Sequence, residues 1–130
     1  MILAVGLGCQ RGCSVDALLE LFNAALAEGG IERQRITALA SLDRKQDEPG
    51  LLELAEILEL PLVVFSAAQL APYEDRLSHK SETVFAYTGC YGIAESAALA
   101  LAEHLSQGPA TLLITRKKTA QATFALACAG

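Results

Sequence analysis

The sequence predicts an α/β fold, with residues 1–130 as a single three-layer α/β/α domain around a mostly parallel, mixed five-stranded sheet. Three observations carry this expectation. Short apolar runs of strand length alternate with longer runs whose apolar residues recur every three or four positions, as in βαβ units. The last two strand-like runs, residues 111–115 and 122–128, follow one another without a helix, as a hairpin or close pair would. Alanine and leucine number 23 and 22, against 11 for valine and isoleucine together, so helices should outweigh strands.

Residues 2–8 are apolar and end in glycines, which fits a short buried strand. Ser14 is a favoured N-cap, and Asp16 suits the positive end of the helix that follows. Val15, Leu18, Leu19, Phe22 and Leu26 make its apolar stripe, and Gly29-Gly30 stops it. Residues 36–42 alternate as a second strand. Residues 43–50 are polar and lead through Pro49, comfortable in a first helical turn, into a helix with Leu51, Leu54, Ala55 and Leu58 on one face. Pro61 closes that helix, residues 62–65 form the third strand, and Ser66 caps a single turn before Pro72. Residues 73–80 are turn-like; residues 81–88 fit a short helix capped by Ser81, and also fit a strand. The alanine-rich run 93–105 is a helix with Glu95 in its first turn and Gly108-Pro109 beyond its end.

Composition removes several function classes. With 52% hydrophobic residues the chain buries enough surface to fold, so it is not a disordered segment. No apolar window reaches the length of a membrane span, and no charged segment precedes the apolar start, so a cytoplasmic protein without membrane contact is expected. A net charge of −5 argues against general nucleic-acid binding, which needs a basic face. Cys9 and Cys13 stand C-x-x-x-C, unlike the redox C-x-x-C or a zinc knuckle, and His79 and His104 are distant in sequence. Neither a disulfide, a metal centre nor a cofactor is expected.

In open α/β sheets ligands bind beyond the carboxyl ends of the strands. That rule selects Gly8 to Ser14, Asp43 to Glu48, Ser66 and Arg116 to Thr119. The run Gly6-Leu7-Gly8-Cys9-Gln10-Arg11-Gly12 joins a strand to a capped helix, so its backbone N–H groups suit an anion; a purely structural turn fits as well. It is not the dinucleotide fingerprint: the spacing is G-x-G-x-x-x-G, and the next acid in a plausible place, Asp43, comes about 30 residues after Gly12. In the loop Asp43-Arg44-Lys45-Gln46-Asp47-Glu48, either Asp43 and Lys45 face the crevice together, or the loop is solvated with Asp47 or Glu48 capping the next helix. Thr88-Gly89-Cys90-Tyr91-Gly92 is a second small-residue turn, which Glu95 would order; Cys90 lacks the histidine partner of a nucleophile. Arg116-Lys117-Lys118 is the densest basic run, with Arg116 and Lys118 suited to carboxylates.

These segments resemble, almost end to end, the family of the cobalamin-biosynthesis protein CobE and the C-terminal domain of CbiG. The resemblance rests on G-L-G-C-Q-R-G-C-S at 6–14, S-L-D-R-K-Q-D-E-P-G-L at 41–51, L-P-L-V-V-F-S at 60–66, T-G-C-Y-G-I-A-E-S-A-A-L at 88–99 and L-L-I-T-R-K-K-T at 112–119. The chain departs from the family at Thr115 and Arg116, where proline and lysine are common, and at 119–121, where glycine is frequent; Lys118 matches the family's second lysine. The resemblance implies a cobalamin-biosynthesis protein that binds a precorrin or hydrogenobyrinic-acid-like tetrapyrrole, alongside other enzymes of that pathway. The ligand-binding candidates are Gly8, Cys9, Arg11, Gly12, Ser14, Asp47, Gly89, Cys90, Gly92, Glu95, Arg116 and Lys118. A CbiG-like precorrin-5A lactone hydrolase is the alternative: Asp43 or Glu48 would be the general base, and Lys45 or Arg116 would stabilise the oxyanion. A nucleotide-binding domain is a third reading, opposed by the glycine spacing.

Overall fold

A computed structural model describes residues 1–45, 47–80, 82, 86 and 92–130, with the Lys45 side chain left out. Five strands, β1 (Ile2–Cys9), β2 (Ala38–Leu42), β3 (Leu62–Phe65), β4 (Ala110–Lys118) and β5 (Ala122–Ala129), form one sheet in the order β3-β2-β1-β5-β4. The pairs β1–β2 and β2–β3 are parallel, while β5 runs antiparallel to both β1 and β4. Four strands therefore point one way, and the mixed α/β sheet is as expected. The reversed strand is not at an edge, however. It sits inside the sheet, so that the outermost β4 runs in the direction of β1.

The two faces of the sheet differ in side-chain size, and this sorts the helices. Leu3, Val5, Leu7, Leu39, Phe124 and Leu126 project to one side, where α1 (Val15–Gly29) and α2 (Pro49–Leu58) cover them. Phe22 of α1 meets Phe124 edge to face, with ring centroids 5.9 Å apart. The other side presents Ala4, Ala38, Ala40, Ala125, Ala127 and Ala129 to the third long helix, labelled α4 below (Ile93–Ser106). Such a shallow face lets the helix come close: a methyl added at Gly6 would overlap the Ala94 carbonyl. Residues Ile93 to Ala102 are all buried, which explains the alanine-rich helix the sequence contains. The one-turn helix α3 (Ala67–Leu70) and a 3₁₀ segment (Ala71–Arg76) follow β3, and Leu70 and Tyr73 pack on this second core.

Local chemistry accounts for the helix ends. Ser14 Oγ accepts from Ala17 N–H at 3.1 Å, and Gly30, at φ 68°, ends α1. Pro49 occupies the first turn of α2. Ser66 and Gln69 form a reciprocal capping box at α3. Within α1 the buried set is Leu18, Leu21, Phe22, Ala25 and Leu26, with Val15 and Leu19 only half-buried, because the helix faces both the sheet and α2. Strand β2 starts at Ala38; Thr37 ahead of it still exchanges bonds with Leu3, through its N–H (2.8 Å) and its Oγ1 (3.0 Å). The helix-or-strand expectation for 81–88 falls outside the described residues, Glu82 and Ala86 excepted. Among the described residues no helix is long and apolar enough to cross a membrane.

Candidate functional site

Because β1, β2, β3 and β4 share one direction, their carboxyl ends meet at one edge of the sheet, with the start of α4 above it. Gly8 and Cys9 close β1 there, paired with Thr123 and Ala122 of β5. Gln10 N–H then donates to the Gln121 carbonyl at 2.9 Å, and Cys13 N–H returns to the Gln10 carbonyl at 3.1 Å. This makes a tight turn with Arg11 and Gly12 exposed. Gly12 has φ 79°, a region costly for any residue with a Cβ. Its N–H donates at 2.9 Å to Oε1 of Glu48, a carboxylate that is almost fully buried. Glu48 stands at the N-cap position of α2 yet makes no cap bond; its side chain reaches back to brace the glycine turn instead. Cys13 lies in the same cluster, and burial, then the nearby Glu48 charge, push its thiol above the ordinary range. Ser14 keeps its hydroxyl on the α1 N-terminus.

Asp43 to Lys45 form a 3₁₀ turn directly after β2, with Asp43 half-buried and Arg44 and Asp47 exposed. The Lys45 side chain lies outside the described residues, as do Gly89 and Cys90. Gly92 is the N-cap of α4, and a Cβ there would stand 3.3 Å from the His79 carbonyl.

Glu95 is the most enclosed charge at this edge, 1% exposed. Its Oε1 accepts from the N–H groups of Ser78 (2.7 Å) and His79 (3.4 Å); its Oε2 accepts from Ser78 Oγ and from Arg116 N–H (2.9 Å). One carboxylate thus ties α4 to the loop before it and to β4. The basic run does not follow β4 but belongs to it, because the ladder with β5 continues past two irregularities to Lys118. Lys117 bonds Glu28 of α1 at 2.8 Å, Lys118 is exposed, and Arg116 is half-buried.

Sequence reasoning missed Ser78 and His79. Their bonds to Glu95 span 17 and 16 residues and have no periodic signature; only the polar Ser-His-Lys run itself was visible. It also missed a groove of about 300 Å³ lined by Phe65, Gln69, Tyr73, Ala100, Glu103, His104 and Gln107, beside α4. Glu103 there accepts from Arg76 Nη1 (2.9 Å), Ala110 N–H (2.9 Å) and Tyr73 Oη (3.4 Å). Burial acts to raise its pKa, but the Ala110 and Arg76 bonds and the Arg76 charge hold it below the ordinary value. The same surroundings raise the Tyr73 phenol: burial first, then the Glu103 charge. No sequence-predicted site residue lines the groove, and the Arg76 charge near it is engaged by Glu103. Among the described residues, no group of three or more His, Cys, Asp or Glu could hold a metal ion.

Residues 3–127 match the family model described as the cobalamin synthesis G C-terminus. The chain is 39% identical over 125 residues to Protein CobE of Sinorhizobium sp, covering 96% of this chain and 79% of that protein. It is 35% identical over 126 residues to the cobalt-precorrin-5A hydrolase of Priestia megaterium, covering 97% of this chain but only 32% of the hydrolase. The crystal structure of CobE, a protein from the cobalamin biosynthetic pathway, superposes with a TM-score of 0.93 at 45% identity over 97% of this chain and 89% of that one. Its mixed α/β architecture is the one described above. The chain therefore belongs to the cobalamin synthesis G C-terminus family and is a protein of cobalamin biosynthesis.

Proposed function

We propose that this chain binds a precorrin-type tetrapyrrole at the carboxyl-end edge of its sheet. The observation that supports this most is the placement of charge. In a chain of net −5, Arg11, Arg44, Arg116 and Lys118 all lie on segments that meet at that edge, while its two buried acids, Glu48 and Glu95, receive backbone N–H groups. The edge is then a ring of cations and glycine turns around apolar strand ends, complementary to an apolar macrocycle fringed with carboxylates. Gly8, Cys9, Gly12 and Asp47 would line it, with Gly92 on the α4 side; Ser14 and Glu95 would act by holding its walls.

The test is a titration of the purified protein with hydrogenobyrinic acid, followed by the pigment's visible absorption. A saturable spectral change is expected, weakened several-fold by Arg116→Ala and again by Lys118→Ala, at about 1 kcal/mol per carboxylate contact. Absence of any change at tens of micromolar protein refutes the reading.

Lactone hydrolysis is the second reading, supported by the 35% identity to the Priestia hydrolase, of which this chain spans about a third. Asp43 or Glu48 would then activate water, with Lys45 or Arg116 stabilising the oxyanion. Incubation with a lactone-bearing cobalt-precorrin and mass analysis of the product separates carrier from hydrolase: water uptake with loss of a two-carbon fragment supports the enzyme, and an unchanged mass excludes it.

A further inference from the structure

We propose that His79 is a ligand-facing residue of the same edge, held in one tautomer by a relay through Ser78 to Glu95. The proposal rests on the tetrapyrrole-site reading and adds a residue that the sequence did not mark. Ser78 Oγ touches two groups, Oε2 of Glu95 and Nδ1 of His79, the latter at 2.8 Å. The direction of these bonds follows from the acceptors. Glu95 accepts three backbone N–H groups, and a carboxylate only accepts. The Ser78 hydroxyl must therefore donate to Glu95. Having one proton, it can only accept from His79, and Nδ1 must carry the N–H. In the neutral ring Nε2 is then the bare nitrogen, a hydrogen-bond acceptor on an exposed side chain.

The relay also fixes where that nitrogen stands. Both backbone N–H groups of the Ser78–His79 unit are bound by the carboxylate that also holds Arg116 N–H, so the histidine and the arginine share one anchor. The His79 carbonyl packs against Gly92 at the start of α4. A ring presented in this way offers the bare Nε2 to an N–H or O–H of the ligand when neutral, and an Nε2–H to a ligand carboxylate when protonated. Glu95 touches neither and is a positioning residue.

The chain has two histidines, which makes the measurement clean. Nitrogen-15 NMR of histidine-labelled protein, with His104→Gln to assign signals, reads the tautomer directly at a pH where the rings are neutral. The expected result is Nδ1–H at His79, collapsing to the mixture of an unconstrained imidazole in Ser78→Ala; an Nε2–H tautomer in the wild type overturns the relay. Ser78 is exposed, so Ser78→Ala does not depend on the fold surviving loss of Glu95. Binding is then read with hydrogenobyrinic acid. His79→Ala should weaken affinity about tenfold, as loss of one ligand hydrogen bond does, while His104→Gln leaves it unchanged. Wild-type affinity in His79→Ala refutes its ligand-facing role. No binding by the wild type refutes the tetrapyrrole reading and the ligand-facing role with it, while the tautomer signal still decides the relay.

Discussion

Replacing Gly6 with alanine tests how the edge is held in place. Gly6 lies in the central strand, beside Ala40 and Ala125, with α4 directly on top. The new methyl would overlap the Ala94 carbonyl oxygen and stand 2.7 Å from Ala98 N and 2.8 Å from Ala94 C. All are backbone atoms inside a helix, so no side-chain rotation relieves them. To reach the ~3.5 Å of an ordinary contact, α4 must lift by more than ~1 Å, the Ala94 oxygen needing the most. A gap of that size forfeits a quarter to a half of the dispersion energy of each contact beneath the helix, in addition to about 1–3 kcal/mol of direct overpacking. We expect a loss of at least ~3 kcal/mol, a large share of a total of roughly 5–15 kcal/mol, seen as a melting temperature lower by about 10 °C or more. Gly8→Ala is the control. It is two residues along the same strand, but its methyl meets the side-chain Oγ1 of Thr123 at 2.6 Å, which can turn away, so a loss of ~1 kcal/mol or less is expected. Thermal and urea melts of both variants decide the matter; equal stabilities would refute the close-packing argument.

Other outcomes follow from the same geometry. The folded-state pKa of Glu103 is depressed, so its stabilising contribution is present above the unfolded value of about 4.3 and disappears as pH falls through the folded one. Melting temperatures of Glu103→Gln should therefore fall short of those of the wild type above about pH 5 and converge on them as the pH falls through the folded-state value. Glu48→Gln should lower the Cys13 pKa, followed by ultraviolet thiolate absorbance, yet leave it above the ordinary range because burial is the larger cause. Lys117→Ala should cost less than about 1 kcal/mol in thermal melts, and less still at high salt, since solvent screens its ion pair with Glu28.

The parts of this fold that were legible in the sequence are those governed by local chemistry. Ser14, Pro49 and the Ser66 cap mark helix starts because a single side chain or ring satisfies the first turn wherever it occurs. The alanine-rich 93–105 run was legible as a helix, but not as one buried nearly all round, because burial depends on the matching alanines of β1, β2 and β5. Arg116 to Lys118 read as a loop since charge suggests solvent, whereas pairing with β5 carries the strand through them. Glu48 shows the limit for the site. Its position before Pro49 suggested a cap, and its bond to Gly12, 36 residues away, exists only because the ends of β1 and β2 are neighbours. The histidine beside Glu95 was hidden for the same reason.

The reversed strand β5 has a consequence for how the chain reaches its native state. Its register joins Ile2 to Ala129 and Cys9 to Ala122, so the middle of the sheet is completed by residues far along the chain from β1. Until they arrive, β1 has β2 on one side and an open row of amides on the other, and β4 has no neighbour at all. Closing the sheet needs this long-range contact, which slows folding, and until β5 docks the open side of β1 is exposed to edge-to-edge association. Loss of the final strand would thus act on the centre of the structure, separating the β1 glycine turn from the β4 cations.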